Sequence, residues 1–119
     1  MIQYQQVGNP KPVCKILTTT GVTALYKPTR AQLRGALESI AVCNVSGGAV
    51  TFTLQVTDST PATFKIASVS ISAGATFFFN QHNIPILTNW ALEAQASTAN
   101  ALHITAVILE QTPSEGSNT

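Results

Sequence analysis

Alternating apolar and polar side chains are the clearest pattern in this chain, and the alternation is strongest near the middle. In segment 49–58 (AVTFTLQVTD) every second residue is apolar, with threonine or glutamine between. The apolar positions are Val50, Phe52, Leu54 and Val56. Successive side chains of a strand point to opposite faces, so this period of two predicts an antiparallel strand with one face in a core and the other in water.

Further runs of this kind recur at the spacing typical of an all-β domain. They lie at 14–27 (two short strands broken near Gly21), 36–45, 64–72, 75–81, 90–97 and 101–110. The alternation in 64–72 changes phase around Ile66 and Ala67, which predicts a β-bulge. We therefore predict an all-β fold, a single antiparallel β-sandwich of about seven or eight strands, with jelly-roll and immunoglobulin-like topologies both open.

The two ends of the chain differ from this central domain. Residues 1–13 contain Pro10, Pro12 and few hydrophobic side chains, which favours an extended N-terminal arm. Residues 111–119 (QTPSEGSNT) are polar and predict a flexible C-terminal tail. The length of 119 residues suits one domain. The predicted organisation is an arm at 1–13, a β-sandwich domain at 14–110 and a tail at 111–119.

The turn at 44–48 (NVSGG) separates two apolar runs, 36–45 and 49–58. This arrangement predicts a β-hairpin in which two central strands pair with each other. We expect Gly47 and Gly48 to supply positive φ angles, and Asn44 and Ser46 to hydrogen-bond the backbone of the turn. In this interpretation the hairpin is a structural device that sets strand register.

Segment 29–40 is ambiguous between helix and strand. Thr29 followed by Gln32 matches a capping box, and the apolar residues after it recur at helical spacing. Gly35 and the β-rich run that follows count against a helix. We expect a loop or a single turn, then a strand from about Ala36, with a short helix as the alternative.

Charge is scarce: 9% of residues are Asp, Glu, Lys or Arg, against a usual level of about 25%, and the net charge is +1. The polar surface must then consist mainly of Ser, Thr, Asn and Gln, which gives copies of the chain little mutual repulsion. This composition favours a subunit of an assembly. A secreted or merely threonine-rich β domain is the alternative.

Basic residues concentrate in the first third of the chain, where five of them precede the first acid, Glu38. Lys11, Lys15 and Arg30 are the candidates for contact with an acidic protein lattice, and solvated surface charges are the alternative. The basic residues are spread out and lack interleaved aromatic side chains, so we expect no specific nucleic-acid partner.

Cys14 and Cys43 match neither a disulfide framework nor a zinc site. Cys43 lies in an apolar run and is expected to be a small buried hydrophobe, and two free thiols suit assembly in a reducing cytoplasm. The first residues lack the apolar segment of a signal peptide, and no apolar run is long enough to span a bilayer. We expect no membrane partner.

Two predicted strands carry apolar side chains on both faces. Phe78 points away from the Phe residues beside it, and Val107 and Leu109 lie opposite the inward face of the last strand. A lone sandwich buries one face of each sheet, and burying a Phe contributes roughly 1.5–3 kcal/mol. We predict Phe78, Val107 and Leu109 to be a subunit interface. Coverage by a neighbouring protein, by the arm or by loops, and a tolerated exposed Phe, are the alternatives.

Catalytic chemistry has no visible basis in the sequence. His82 and His103 lie in different runs without a carboxylate at ligand spacing, and no phosphate-binding loop, nucleophile elbow or paired carboxylate motif occurs. We predict no enzyme activity, no metal and no cofactor. Asn80–Asn83 with Trp90 could bind a sugar, against the interpretation of a polar loop beside a core Trp.

Segment 25–56 (LYKPTRAQLRGALESIAVCNVSGGAVTFTLQV) resembles small structural proteins of tailed bacteriophages. These proteins open with a short Leu-Tyr strand, then have a strand ending in a Cys-Asn-x-Ser-Gly turn and a threonine-rich strand. Segments 70–86 (SISAGATFFFNQHNIPI) and 90–110 (WALEAQASTANALHITAVILE) are also similar, so the likeness covers about 22–110. The loop at 57–63 is shorter than the acidic loop often found there, which leaves head, connector and tail positions open.

The resemblance implies a virion subunit that folds in the host cytoplasm and carries no active site. The leading interpretation is a capsid decoration or cement protein that binds the major capsid protein lattice as a homo-oligomer, with a trimer as the expected state. A tail or head–tail connector protein that binds tail protein is the first alternative. A carbohydrate- or receptor-binding module is the second.

Overall fold

A computed structural model describes residues 9–79 and 84–111, and these residues form nine β-strands. In chain order the strands are β1 (Asn9–Ile16), β2 (Thr23–Tyr26), β3 (Arg34–Asn44), β4 (Val50–Thr57), β5 (Thr63–Ile71), β6 (Thr76–Phe79), β7 (Ile84–Ile86), β8 (Ala91–Ala96) and β9 (Leu102–Gln111). All pairings between them are antiparallel.

The strands form two sheets. Sheet I has the order β1-β9-β3-β6, with β7 also paired to β3, and sheet II has the order β2-β8-β4-β5. The predicted antiparallel β-sandwich is confirmed, and the strand order, with the first strand beside the last, is that of a jelly roll. The described residues contain more strands than predicted because the short β7 continues along β3 beyond the end of β6.

The predicted pairing of β3 with β4 is wrong. β3 pairs with β9, β6 and β7 in sheet I, whereas β4 pairs with β5 and β8 in sheet II. Both strands bury their apolar faces as expected, but they face each other across the core. Packed sheets lie about 10 Å apart, a distance that the short connection after Asn44 can cross. Alternation specifies which face is inward and leaves the choice of sheet open.

Asn44 holds this connection together. Its side chain is fully buried, and its Nδ2 donates to the Gly48 carbonyl and to the Ile71 carbonyl at the end of β5, at 2.8 Å each. Its Oδ1 accepts from the Ser46 amide at 2.9 Å, which confirms the predicted backbone bonding in the turn. Neither Gly47 nor Gly48 has a left-handed φ, contrary to the prediction, because a chain that crosses between sheets needs no hairpin turn there.

The inward faces of the two sheets form one core. β4 and β9 present the faces expected from their period of two. The largest fully buried side chains are Phe52, Leu17, Leu37, Ile40, Leu54, Ile86, Leu92, Leu102, Ile104, Ile108, Val42 and Val50. Cys43 is half-buried rather than buried, because it lies between the inward residues Val42 and Asn44 and therefore points to the outside of sheet I.

The bulge predicted in β5 is confirmed. Leu54 pairs with Ala67 and the next β4 residue, Gln55, pairs with Lys65, which leaves Ile66 as the extra residue. The ambiguous segment before β3 forms a bend and a turn, with Gln32 at φ 64°, and β3 begins at Arg34. The expectation of a turn followed by a strand therefore holds over the helix alternative.

Tyr26 joins the two sheets at one end of the sandwich. It lies on β2 of sheet II, and its hydroxyl donates to Glu110 Oε2 on β9 of sheet I at 2.8 Å. Burial, with the hydrogen bond to Glu110 and the charge of that carboxylate, raises the pKa of Tyr26 well above its usual range. Gly35 makes room for the ring: a Cβ there would lie 2.7 Å from Tyr26 Cε2 and 2.8 Å from Ile108 Cγ2.

β1 is an edge strand of sheet I, and Asn9 at its start pairs with Glu110. Residues 9–13, which the sequence assigns to the arm, thus form the first part of this strand. Pro10 and Pro12 lie in it because a residue without an N–H is tolerated at an edge. The arm residues 1–8 and the tail residues 112–119 lie outside the described residues. Within 9–79 and 84–111, no helix is long and apolar enough to cross a membrane.

Candidate interaction surface

The outside of sheet I is a largely apolar surface, which we call the outer face. Strand register defines it, because residues paired across antiparallel strands point to the same side. Its four rows are Pro10–Leu109–Ala36–Pro85, Pro12–Val107–Ser39, Cys14–Thr105–Ala41–Phe78 and Ile16–His103–Cys43–Thr76. None of these residues is Asp, Glu, Lys or Arg. On the same side, β3 also carries Arg34, which pairs with Gln111 in the next row, and Glu38, the extra residue of the bulge between Leu37 and Ser39.

The three residues predicted as a subunit interface all lie on this outer face. Phe78 on β6 is 65% exposed, whereas Val107 and Leu109 on β9 are half-buried by the strands on either side. Phe78 and Val107 lie in neighbouring rows, separated by β3. The structure therefore brings together residues that are up to thirty-one positions apart in the sequence.

Sequence reasoning missed the contribution of β1 to this surface. Ile16 is 47% exposed, and it lies opposite His103 on the outer face. Pro10, Pro12 and Cys14 share that side of β1. Their common orientation follows from the pairing of β1 with β9, and the segment that contains them has too few hydrophobic side chains to show a period of its own.

A depression of about 700 Å³ lies on the outer face where β1 meets β9. Its lining residues are Cys14, Lys15, Ile16, Thr18, His103, Ile104 and Thr105. His103 is exposed, as expected for a surface or interface position. Within the described ranges, no three His, Cys, Asp or Glu side chains come close enough to hold a metal ion. The arrangement is suited to apolar contact and to a few hydrogen bonds.

The three predicted lattice residues lie elsewhere and are not brought together. Lys11 and Lys15 point to the inner side of β1: Lys11 Nζ is 3.7 Å from Glu110 Oε2, and Lys15 Nζ donates to the Ala24 carbonyl at 3.3 Å. Arg30 is exposed in the loop between β2 and β3. These cations lie at one edge and one end of the sandwich, away from the four rows of the outer face.

The outside of sheet II is polar, in contrast to that of sheet I. Thr51, Thr53, Gln55 and Thr57 alternate along β4 on this side. Glu93 on β8 accepts from Gln55 Nε2 at 3.0 Å and from Thr57 Oγ1 at 2.7 Å. Water can solvate a polar surface of this kind. The outside of sheet II is therefore suited to solvent, whereas the outside of sheet I is suited to contact with other apolar side chains.

The residues proposed for sugar binding do not form a described site. Trp90 is half-buried and packs against the core, which confirms the core interpretation of this side chain. Its backbone amide donates to the Leu87 carbonyl at 2.9 Å. Residues 80–83, which include the other histidine, His82, lie outside the described residues.

No protein-family model and no curated protein sequence matches this chain. Similar solved structures include a Clostridium thermocellum xylanase 10B fragment with CBM22-1 and GH10 modules in complex with xylohexaose (14% identity, TM-score 0.40, 82% of this chain and 20% of that one). The structure of infectious bursal disease virus, Gt strain, matches at 10% identity and a TM-score of 0.38, and the match covers 99% of this chain and 34% of that one. The virus-like particle of Macrobrachium rosenbergii extra small virus matches at 11% identity and a TM-score of 0.36, and the match covers 96% of this chain and 81% of that one.

This chain thus spans about a fifth of the length of the xylanase chain and about a third of the length of the bursal disease virus chain. Two of the three are viral and one is a carbohydrate-active enzyme. At such identities and TM-scores, the similarities carry no conclusion about function.

Proposed function

We propose that this chain is a structural subunit of a bacteriophage virion, and that it decorates the capsid as a homo-oligomer bound to the major capsid protein lattice. The observation that carries the proposal is the outer face of sheet I. A jelly roll has its own core between its sheets, so a second largely apolar surface on the outside needs another explanation.

The size of the outer face supports an interface. It is four strands wide and four outward residues long, or roughly 19 by 27 Å, since strands lie about 4.8 Å apart and alternate residues about 6.8 Å apart. Two such faces packed together would bury about 1,000 Å², which is at the lower limit of specific protein interfaces. A single contact of this kind is weak, so symmetric repetition has to supply the strength.

The resemblance of 25–56 to structural proteins of tailed bacteriophages supports the choice of a virion, and the fold is compatible with it. Jelly rolls build viral capsid domains and lectin domains alike, so the fold admits both and selects neither. The proposed mechanism is non-catalytic. Subunits, three in the leading interpretation, associate through the outer face, while Lys11, Lys15 and Arg30 contact the lattice.

Purified protein mixed with particles that lack it tests this proposal. We expect binding at hundreds of copies per particle, measured by quantitative mass spectrometry after sedimentation of the particles. Neutralising Lys11, Lys15 and Arg30 together should weaken binding and reduce its dependence on salt. Lys65→Ala on β5 removes one positive charge elsewhere, and it serves as the control for each of the three single substitutions. Absence of the protein from particles under all salt conditions would contradict a virion role.

A tail or connector position is the second candidate, and the short loop 57–63 is the feature that keeps it open. Copy number separates the two positions. Decoration requires occupancy across the lattice, whereas a connector or tail ring holds a few to a dozen or so subunits at one vertex. Gold-labelled protein imaged on particles should therefore give labels over the whole head for decoration, and a single cluster for a ring.

A further inference from the structure

The outer face has a protrusion at one edge and a recess at the other. Phe78 on β6 is 65% exposed, and the depression of about 700 Å³ lies beside Cys14 and Ile16 on β1. Phe78 and Cys14 belong to one row, since Cys14 pairs with Thr105, Thr105 with Ala41, and Ala41 with Phe78. The protrusion and the recess therefore lie at the same position along the strand direction, which we call their height.

A single molecule cannot fill its own recess. Phe78 and Cys14 are separated by three strand spacings of about 4.8 Å, or roughly 14 Å. The sheet between them is held in register by the pairings of β9 with β1 and β3. Another molecule must supply the occupant if the recess is to be filled by a Phe78 ring.

We propose that the occupant is a second copy of this chain, whose Phe78 inserts into the depression bordered by Ile16 and His103. The inference deepens the proposed function, on whose homo-oligomer it rests. A rotation axis parallel to the strands brings the β6 edge of one copy over the β1 edge of the next without changing height. Two copies related in this way pack face to face, and three copies pack half-face to half-face around the axis.

Charge and area both favour a copy of the chain as the occupant. Among the described strand residues on this side, Arg34 and Glu38 are the charged ones, and their charges are opposite, so two copies meet without a net charge on either face. A strongly acidic or basic partner would gain little from such a surface. The pairwise area of about 1,000 Å² suits a face-to-face contact between two copies, and the two exposed Phe rings provide aromatic anchors at its edges.

A disulfide trap tests the contact. In a Cys43→Ser background, Phe78→Cys leaves Cys14 as the only other cysteine of the chain, since the natural chain has two, so copies can link through positions 78 and 14, 78 and 78, or 14 and 14. The two sites are too far apart within one molecule, because a disulfide needs Cα atoms within about 7 Å. At protein concentrations high enough to offset the loss of the Phe78 ring, we expect mild oxidation to give covalently linked copies on a non-reducing gel, with mass spectrometry identifying a bond between positions 78 and 14 as the main product.

Two variants control this experiment. Adding Cys14→Ser should abolish the bond from position 78 to position 14. Thr51→Cys in place of Phe78→Cys puts an exposed thiol on the polar side of sheet II and should give no bond to position 14. Protein that sedimentation shows to be assembled, but that forms no link between positions 78 and 14, would overturn the proposal.

Sedimentation velocity supplies a test without an added thiol. Phe78→Ser should weaken self-association about 10- to 100-fold for each inserted ring, the factor that corresponds to exposing one Phe side chain, and a face-to-face pair loses two rings. Phe64→Ser is the matched control, since Phe64 is 55% exposed but lies on β5 of sheet II, and it should leave self-association unchanged. Wild-type protein that stays monomeric at about 100 µM, or equal effects of the two variants, would refute the contact.

The outcomes separate this inference from the proposed function. Copies that link through positions 78 and 14 but never bind particles would overturn the virion role and leave the contact established. Particles coated by protein that remains monomeric in solution and unlinked on the particle would support the virion role and overturn the contact between copies.

Discussion

Replacing Asn44 with alanine is expected to destabilise the fold by about 2–6 kcal/mol. The Ile71 carbonyl would lose its donor in a fully buried site, which costs about 1–3 kcal/mol. The Gly48 carbonyl and the Ser46 amide would each lose a bond in a partly buried site, at about 0.5–1.5 kcal/mol each. Small domains have a total stability of about 5–15 kcal/mol, so this loss is large.

Urea unfolding followed by the fluorescence of Trp90, the single tryptophan of the chain, measures this effect. We expect a lower midpoint with an unchanged slope, and a melting temperature lower by about 10–20 °C. Ser46→Ala is the control: it removes bonds that are exposed or partly buried, which water can replace, and should cost no more than about 1 kcal/mol.

Asn44→Asp sharpens the test. At neutral pH a carboxylate would face the carbonyls of Gly48 and Ile71, so this variant should be less stable than Asn44→Ala. Burial raises the pKa of such a carboxyl, so lowering the pH should restore part of the stability. A loss below about 1 kcal/mol for Asn44→Ala would refute the reasoning, because it would show that these bonds do not hold the connection between the sheets.

Three further predictions follow from local geometry. Gly35→Ala should cost about 1–3 kcal/mol in chemical unfolding, because its Cβ would overlap Tyr26, whereas Gly48→Ala, which meets nothing within 4 Å, should cost little. The raised pKa of Tyr26 implies stability that is complete below pH of about 10 and lost as pH rises above it, so Tyr26→Phe should flatten this alkaline decline. Hydrogen bonds from Ala62 and Thr60 lower the pKa of Asp58, so its contribution is present above pH of about 4 and lost on acidification; Asp58→Asn should remove that acid dependence from the unfolding curve.

The strands and their inward faces could be predicted because alternation is a local signal. Val50, Phe52 and Leu54 differ from the threonines between them, and no distant residue is needed to show which side is buried. The bulge at Ile66 was visible for the same reason, as a change of phase within a single run. An alternation with a period of two therefore indicates, at every residue of a strand, whether the side chain points to the core or to the outside.

The choice of strand partners could not be predicted in the same way. A short connection can close a hairpin or cross between sheets, and both outcomes bury the same apolar residues. The partner of β3 in sheet I is β9, which lies about sixty residues further along the chain. Asn44 was the available clue, because its amide can bond the carbonyl end of a strand in the other sheet.

The outer face was predicted in part. Phe78, Val107 and Leu109 stood out since each is an apolar residue opposite an apolar neighbour in a clear strand. Ile16 and the depression beside it depend on the pairing of β1 with β9, and pairing is a property of the folded chain.

The two prolines of β1 have a consequence for how copies of this molecule can associate. Along β1, the backbone groups of Pro10, Pro12, Cys14 and Ile16 point to the free edge of sheet I, away from β9. Pro10 and Pro12 have no amide hydrogen, so two of these four possible donors are missing. An incoming strand from another polypeptide would find an incomplete template there, and extension of sheet I into a fibre is disfavoured at this border.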